Sequence, residues 1–299
     1  MDIHNSNVLV IDTSYYIFHR YYATLKWYTY YVQRNKITFV NSDDETEERE
    51  EVETNNSIDY ENLHTNVEFV GFLKKHFLQD LEKLKKKWSV GSSKNIIFCK
   101  DCSRETIWRN MHHSNYKGTR VVGKTFNGNI FPVFYNIINS DYNILCTPKL
   151  EADDVAYLFV NYLRNHEAYH NNNQIVIITN DNDYLQMRHN GIKIFNLIGN
   201  GVNLETRSKG TPEYDLLLKI ISGDTSDNIN AIAPKIGPKT AAKIANMTET
   251  ERNAWITAKG PACVAAYENN KRLVDFRNIP EELKATFYST YTFNLVNDM

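Results

Sequence analysis

The sequence contains no run of about 20 consecutive apolar residues, the length that a membrane-spanning helix requires. Its first residues also lack the basic and then apolar segment of a secretory signal. We therefore expect an intracellular protein that does not enter a membrane. A chain of 299 residues can bury a sizeable core, either as one large domain or as a domain with a smaller module.

Cysteine is scarce, with four residues in the chain, which suits a reducing compartment. Cys99 and Cys102 have the spacing of half a zinc site, but the sequence has no second pair at that spacing to complete it. Cys99 also ends an apolar segment. We interpret it as a buried packing residue rather than as a metal or redox residue.

The net charge of −2 hides a strong segregation of charge along the chain. Residues 41–57 hold eight acidic side chains and one arginine, so this segment contributes −7 and the rest of the chain +5. Such a composition predicts a solvated, disordered acidic insert. A regulatory loop that mimics DNA is the alternative interpretation.

Short apolar segments recur along the first 200 residues and are separated by helical patterns. This alternation predicts an α/β fold with a doubly wound, mostly parallel central sheet. After about residue 210 the strand patterns end and only helices are predicted. The predicted strands are Val8–Asp12, Asn95–Lys100, Asn143–Cys146, Ile175–Thr179 and Ile192–Leu197.

Two segments between the first two strands have helical features. The aromatic-rich segment after Asp12 is expected to begin as a helix and to continue as an extended stretch. A long helix is expected from about Leu63 to Trp88, because apolar residues recur there at intervals of three or four. We expect this stripe to face the core and the lysine-rich opposite face to be solvated. The stripe comprises Phe69, Leu73, Phe77, Leu81, Leu84 and Trp88.

Nine carboxylates fall in five short clusters, and four of these clusters follow or end an apolar segment. Acidic residues just beyond the ends of parallel strands converge at the edge where α/β sheets place their sites. So many like charges require cations, and oxygen ligands alone predict Mg²⁺, with Mn²⁺ as a substitute. The size of the set predicts two ions. The nine residues are Asp12, Asp101, Glu151, Asp153, Asp154, Asp181, Asp183, Asp224 and Asp227.

The motifs, taken in order, resemble those of the flap endonuclease and 5′→3′ exonuclease family of phages, viruses and bacterial DNA polymerase I. The opening VIDTSYYIFHRYYA is similar to the family's first motif, and WR followed by NYKGTR is similar to its arch signature. LEADD, TNDNDYLQ and ISGDTSDNI match three acidic motifs, and IGPKTAAKI matches a glycine hairpin that binds duplex DNA. The resemblance covers nearly the whole chain apart from the acidic insert.

The resemblance implies a PIN-like nuclease domain at residues 1–210, with a helical arch at 102–128, and a helical duplex-binding region at 211–299 with a helix–three-turn–helix motif. It implies that five of the acids hold a first metal ion, that Asp181 lies between two ions and that the last three acids serve the second. Members of the first group are Asp12, Asp101, Glu151, Asp153 and Asp154, and those of the last are Asp183, Asp224 and Asp227.

The resemblance also assigns residues to nucleic acid. Lys117 and Arg120 would face the scissile phosphate, and Arg109 would grip phosphate nearby. Phe18 is similar to an aromatic that stacks on an unpaired terminal base, and core packing is the alternative interpretation. The residues that would bind duplex phosphates around the hairpin are Lys235, Gly237, Lys239, Thr240 and Lys243.

This sequence departs from the family pattern in the hairpin. Residues 230–235 read NAIAPK where relatives have a shorter PGVPG, so Lys235 stands near the first hairpin glycine. The K⁺ site that the family has at this hairpin is therefore left open. The arch segment is short, which leaves open whether it encloses a single strand.

The resemblance predicts a metal-dependent 5′-nuclease that acts as a monomer in DNA replication and repair. Its expected substrates are branched or nicked double-stranded DNA with a 5′ single-stranded end, and RNA primers in RNA–DNA hybrids. Replication proteins would be its partners, although the C-terminus shows no clear sliding-clamp peptide. Two alternatives stay open: a DNA-binding protein of the same fold without activity, and a PIN-type ribonuclease.

Overall fold

The computed structural model describes residues 1–39, 58–120, 123–138, 141–166, 169, 173–199 and 201–296. The acidic insert predicted at 41–57 lies outside these residues. Among the helices that are described, none is long and apolar enough to cross a membrane.

A five-stranded parallel sheet forms the centre of the fold. Its order is β4-β3-β2-β5-β6, so the chain starts in the middle, builds one edge and then builds the other. This doubly wound order confirms the predicted fold class. A separate two-stranded parallel sheet joins β1 and β7. The strands are β1 (Asp2–His4), β2 (Val8–Asp12), β3 (Ile96–Cys99), β4 (Asn143–Leu145), β5 (Ile175–Ile178), β6 (Ile192–Phe195) and β7 (Asn294–Val296).

The register of the sheet brings the acidic segments to one edge. Asp12 pairs with Cys99, and Ile11 pairs with Ile178, so the three central strands end side by side. The chain then leaves β3 at Asp101 and leaves β5 for Asp181. The strands carry apolar side chains on both faces because both faces are buried, as in other parallel sheets.

The described residues form two compact units. The first contains Met1–Tyr16, Trp88–Val121 and Asp141–Met299, and the second contains Ile17–Lys87 and Val122–Ser140. The C-terminal helices therefore belong to the same unit as the sheet. The boundary proposed near residue 210 does not separate these two units.

Three helices account for most of the second unit: α1 (Thr13–Phe39), α2 (Val67–Lys87) and α3 (Ile130–Ile138). The extended stretch expected after the start of α1 is wrong, because buried residues recur at helical spacing from Tyr16 through Tyr28. Helix α2 begins later than expected, since the Asn66 side chain accepts from the Phe69 amide and caps it. The predicted apolar stripe is buried through Leu81.

The predicted arch segment contains two short 3₁₀ helices, Arg104–Thr106 and Trp108–Met111. In its described part, 102–120 and 123–128, no α-helix forms, which differs from the helical arch expected from the resemblance. Trp108, Arg109 and Tyr116 are buried, and their side chains tie this segment to the first unit.

Helix α4 (Ala152–Asn165) packs on one face of the sheet. Val155 and Phe159 lie in the same core as Val10 and Ile97. The remaining helices are α5 (Pro212–Ser222), α6 (Pro238–Ala245), α7 (Glu249–Ala258), α8 (Pro261–Val274) and α9 (Glu281–Thr290). The prediction of helices after residue 210 is confirmed except for β7, which is too short to give a clear pattern in the sequence.

Candidate metal centre

Three acids of the first group, Glu151, Asp153 and Asp154, lie at the start of α4. Glu151 is the N-cap residue and forms a capping box with Asp154, so the helix amides and dipole favour negative charge at this point. Oxygen atoms of Glu151, Asp153 and Asp154 lie within 4.8 Å of one another. Burial and repulsion from Asp154 raise the pKa of the Asp153 carboxyl well above its usual range.

A buried arginine balances this group. The two terminal nitrogens of Arg109 donate to the two oxygens of Asp154, each at 2.7 Å, and one also donates to Glu151 at 2.8 Å. Its Nε donates to the Leu273 carbonyl at 2.7 Å, and the residue is only 2% exposed. Arg109 could bind a phosphate, as the sequence suggested, only by breaking these contacts. In this structure its contacts position Asp154 and Glu151.

Asp154 has little capacity left for a metal ion. Besides the two bonds from Arg109, it accepts from the Trp108 indole at 3.0 Å and from the Glu151 amide at 3.2 Å. Its side chain is fully buried. Within the first group, Glu151 and Asp153 are thus better placed than Asp154 to bind a cation.

Asp12 and Asp101 come to the same edge of the sheet from β2 and β3. Asp101 accepts from the Ala152 amide at 2.8 Å, which ties it to the first turn of α4, and from the Ser14 hydroxyl at 2.5 Å. Asp12 accepts from the Thr179 hydroxyl at 3.0 Å. Burial, together with repulsion from Asp101, raises the pKa of Asp12 to about 7. This position therefore favours a cation.

In the second group, Asp224 and Asp227 lie on the loop after α5, and Asp183 lies in a 3₁₀ helix just after β5. Oxygen atoms of Asp183, Asp224 and Asp227 lie within 4.8 Å of one another. Gly223 has a φ of 72°, and a Cβ there would lie 2.3 Å from the Ile229 carbonyl oxygen, so the turn requires glycine. The turn closes with two 2.8 Å backbone hydrogen bonds between Asp224 and Ile229.

Lys219 of α5 balances the second group. Its ammonium group donates to Asp183 and lies 2.7 Å from Asp224. Although burial alone would raise the pKa of Asp224, the Lys219 charge holds it at about 2. Sequence reasoning missed Lys219. Its signal is a single lysine inside the apolar run LLLKIIS, where a charge requires a buried partner.

The segment 116–120 joins the two groups. The Tyr116 hydroxyl, which sequence reasoning also missed, lies 3.0 Å from a Glu151 oxygen and 3.1 Å from an Asp227 oxygen. Lys117 donates to Glu151, and Arg120 donates to Asp227 at 2.6 Å. Burial would raise the pKa of Glu151. Attraction to Lys117 and Arg109 nevertheless holds this pKa below its usual range.

Asp181 feels the charge of both groups. Its carboxyl accepts from the Asp183 amide at 2.9 Å, and its charge also acts on Asp12. Desolvation by the surrounding protein, with repulsion from Asp183, raises the pKa of Asp181 to about 6. Asp181 as a whole residue is exposed at the surface, although the surrounding protein desolvates its carboxyl. Its role as a ligand shared between two ions stays a prediction.

The donor set fits divalent metal ions. It consists of carboxylate oxygens, which Mg²⁺ and Mn²⁺ prefer, and it contains two groups of three converging acids. The raised pKa values of Asp12 and Asp181 show that the nearby lysines and arginines do not neutralise all of these acids.

The hairpin residues lie in the first unit at the start of α6. Gly237 is the N-cap, and a Cβ there would meet no atom within 4 Å. Lys235 has a φ of 64°, so it keeps the left-handed conformation that glycine would adopt at the departure noted in the sequence. All of the predicted duplex-binding residues are exposed: Lys235, Gly237, Lys239, Thr240 and Lys243.

Phe18 belongs to the second unit and packs in an aromatic cluster. Its ring centroid lies 4.3 Å from that of Phe126 and 5.8 Å from that of Phe131. The ring is half-buried. These contacts agree with the packing interpretation, and its stacking on a terminal base stays a prediction.

The chain is similar in sequence to known proteins. Residues 57–214 match the family model of the 5′-3′ exonuclease N-terminal resolvase-like domain. A 5′-3′ exonuclease of Buchnera aphidicola subsp. Baizongia pistaciae is 31% identical over 154 residues, which cover 49% of this chain and 48% of that protein. The chain thus spans about half the length of the curated relatives it matches.

Two solved structures share the fold. A T5 protein co-crystallized with metal ions has a TM-score of 0.60 and 14% identity, with 95% of this chain and 97% of that chain covered. A bacteriophage T5 flap endonuclease in a pseudo-enzyme–product complex with DNA and metal ions has a TM-score of 0.56 at the same identity and coverage. The family match covers more than half of the chain, and this chain therefore belongs to the 5′-3′ exonuclease family.

Proposed function

We propose that this protein is a divalent-metal-dependent 5′-nuclease that hydrolyses phosphodiester bonds near the 5′ end of flap, nicked or overhang DNA. One observation carries the proposal: two carboxylate groups are linked by Tyr116, with the Lys117 and Arg120 cations beside them. This combination suits hydrolysis of an anionic phosphodiester. The family match and the T5 complex with DNA support the same reaction class.

Two Mg²⁺ ions, or Mn²⁺ in their place, would be held by these carboxylates. Asp12, Asp101 and Asp153 with Glu151 would hold the first ion, Asp224 and Asp227 with Asp183 the second, and Asp181 would serve both. When bound, such ions lower the pKa of a water molecule and neutralise charge that develops on the phosphate.

The chain's own cations would orient the phosphate. Lys117 is 13% exposed and reaches Glu151, whereas Arg120 is 47% exposed and reaches Asp227. A phosphate that enters beside the carboxylates would take over these hydrogen bonds. Both side chains would then place positive charge where the negative charge of the transition state grows. Arg109 and Asp154 would keep Glu151 in position throughout.

Duplex DNA would bind at the start of α6. The exposed amides at its N-terminus can take one phosphate, and Lys239 and Lys243 add charge on the following turn. Recognition would depend on backbone shape rather than on base edges. We include RNA–DNA hybrids, a monomeric state, a role in replication and repair, and an intracellular location in the proposal. Whether K⁺ binds at the hairpin stays open.

The experiment uses 5′-labelled flap, nicked, overhang, blunt and RNA–DNA substrates and a single-stranded RNA, each with Mg²⁺, with Mn²⁺ and with EDTA. We expect cleavage near the 5′ end that requires a metal ion and is strongest on the branched substrates. Tight binding without cleavage in either metal would instead support a DNA-binding protein of this fold. Cleavage of single-stranded RNA alone would support a PIN-type ribonuclease.

A further inference from the structure

One face of the middle of α1 carries three aromatic side chains with a basic side chain at each end. The residues recur at intervals of three and four, so they form a single stripe along the helix. They line a groove of about 400 Å³. We call them the α1 stripe: Ala23, Lys26, Trp27, Tyr30, Tyr31 and Arg34.

The aromatic rings of the stripe are partly fixed and partly exposed. Trp27 packs on Phe72 of α2 with ring centroids 4.3 Å apart and stacks with Tyr31 at 5.4 Å and 15°. It remains 41% exposed, and Tyr30 is 74% exposed. Large aromatic side chains gathered at one exposed site indicate a binding surface, since their exposure to water is unfavourable.

The charge on this face has one sign. Lys26 and Arg34 border the aromatic rings, and the 27 residues of α1 contain no acidic side chain. From Lys26 to Arg34 the helix rises about 12 Å, at about 1.5 Å per residue. This is the length of about three stacked nucleotides at about 3.4 Å each.

We propose that the α1 stripe binds single-stranded nucleic acid, with bases stacked on Trp27 and Tyr30 and with phosphates beside Lys26 and Arg34. Stacking of this kind tolerates any sequence, because every base has an aromatic face. A duplex would not bind there in the same way, since its bases are already stacked on each other. The absence of acidic residues on α1 favours this polyanion over an acidic-and-apolar partner protein.

The proposal adds a second nucleic-acid contact to the proposed function, and it does not depend on chemistry at the carboxylates. It can therefore be tested without metal ions. A wild-type protein that bound single strands but cleaved nothing would contradict the nuclease and leave the α1 stripe in place.

The experiment measures fluorescence anisotropy of a labelled 20-nucleotide oligo-dT and of a blunt 20-base-pair duplex, both in EDTA across a salt series. Tyr30→Ala should weaken oligo-dT binding at least about fivefold, the effect of losing one stacked base. Its affinity for the duplex should change less than about twofold. Lys26→Ala should lower the slope of log affinity against log salt for oligo-dT by about 0.7.

Tyr288→Ala is the matched control, because Tyr288 is 42% exposed on α9 and lies outside the α1 stripe. It should bind oligo-dT as the wild type does. The proposal is overturned if Tyr30→Ala binds oligo-dT normally, or if it loses single-strand and duplex binding equally. Sedimentation that shows a wild-type dimer dispersed by Tyr30→Ala, with oligo-dT binding unchanged, would assign the stripe to a second copy of the chain.

Discussion

The two carboxylate groups of the candidate centre are balanced by different kinds of cation. At the start of α4, a rigid guanidinium that is 2% exposed holds both oxygens of Asp154 and one of Glu151. In the second group, Lys219 of α5 and the half-exposed Arg120 contact Asp183, Asp224 and Asp227. The first group is locked into the core by a buried guanidinium, whereas the second is held by Lys219, which is 16% exposed, and by Arg120, which is 47% exposed.

This difference suggests a division of labour between the groups. Arg109 and Asp154 fix the geometry of the first group through buried contacts, and their assignments to phosphate and to metal stay predictions. Arg120 of the second group is half in solvent, so another anion can displace its contact at a lower cost. The charges of Arg109 and Arg120 are the same, so charge does not distinguish their roles. The burial of Arg109 and the exposure of Arg120 do.

Asp181→Asn should affect both proposed ions at once, because Asp181 accepts from the Asp183 amide and its charge also acts on Asp12. We expect Asp181→Asn to reduce cleavage at least about 10³-fold in Mg²⁺, since a ligand shared by both ions would be lost. Binding of a flap substrate should change little. Single-turnover rates and affinity on one substrate are the measurement.

Asp141→Asn provides the control for Asp181→Asn, because Asp141 is an exposed acid outside both groups. It should cleave at the wild-type rate. Full activity of Asp181→Asn in Mg²⁺ would refute the assignment of a shared ligand.

Loss of the buried arginine of the locked group should lower the free energy of unfolding more than loss of Arg120 from the second group. Arg109→Met should lower the free energy of unfolding by about 3–5 kcal/mol, because it leaves the buried Asp154 charge without its partner. Arg120→Met removes a cation that is 47% exposed but leaves Asp227, 6% exposed, with the Tyr116 hydroxyl, so its cost should be smaller, about 1–2 kcal/mol. Urea unfolding of both variants at pH 7.5 tests this. Equal losses would mean that burial does not separate the two groups.

Lys117 tests the link between the two groups. It contacts Glu151 of the locked group, and its segment also contacts Asp227 of the second group through Arg120. We expect Lys117→Ala to slow single-turnover cleavage about 10–100-fold with less than a threefold change in affinity, if its charge acts mainly in the transition state. Lys243→Ala, at an exposed position on α6, should do the reverse. A normal rate with weakened binding for Lys117→Ala would make Lys117 a simple phosphate contact.

The fold could be predicted from the sequence because its determinants are local. Short apolar runs between helical segments have few arrangements other than a doubly wound sheet, and acids that follow strands reach one edge of it. The ends of elements were less certain, since a single cap such as Asn66 moves a helix start by several residues.

The partners of the acids could not be predicted in the same way. Arg109 is 42 to 45 residues from the acids it contacts, and Lys219 is 36 residues from Asp183. A basic residue near an arch signature suggests phosphate binding, and only packing shows that Arg109 is buried. Tyr116 joins Glu151 to Asp227 over 35 and 111 residues, and no local pattern encodes that contact.

The smallest expected effect concerns pH. Asp12 has a folded-state pKa of about 7 and Asp181 of about 6, against about 3.9 for an unfolded aspartate. Between about pH 4 and 7 the folded protein therefore binds more protons than the unfolded chain. Stability of the metal-free protein should then fall as pH rises through this window. The lowered pKa of Asp224, about 2, acts in the opposite direction but only below about pH 4.

Asp12→Asn removes the larger of these two contributions, so it should stabilise the metal-free protein at pH 7.5 by on the order of 1–2 kcal/mol and leave it nearly unchanged at pH 4.5. Comparing the variant with the wild type at each pH cancels the contributions of the histidines. Thermal unfolding in EDTA and in Mg²⁺ is the measurement. Mg²⁺ should raise the Tm of the wild type at pH 7.5 more than that of Asp12→Asn, because a bound cation relieves the same repulsion that the substitution removes. A variant that is less stable than the wild type at both pH values would mean that the Asp12 carboxyl is needed for packing, and that burial of its charge beside Asp101 and Asp181 does not limit stability.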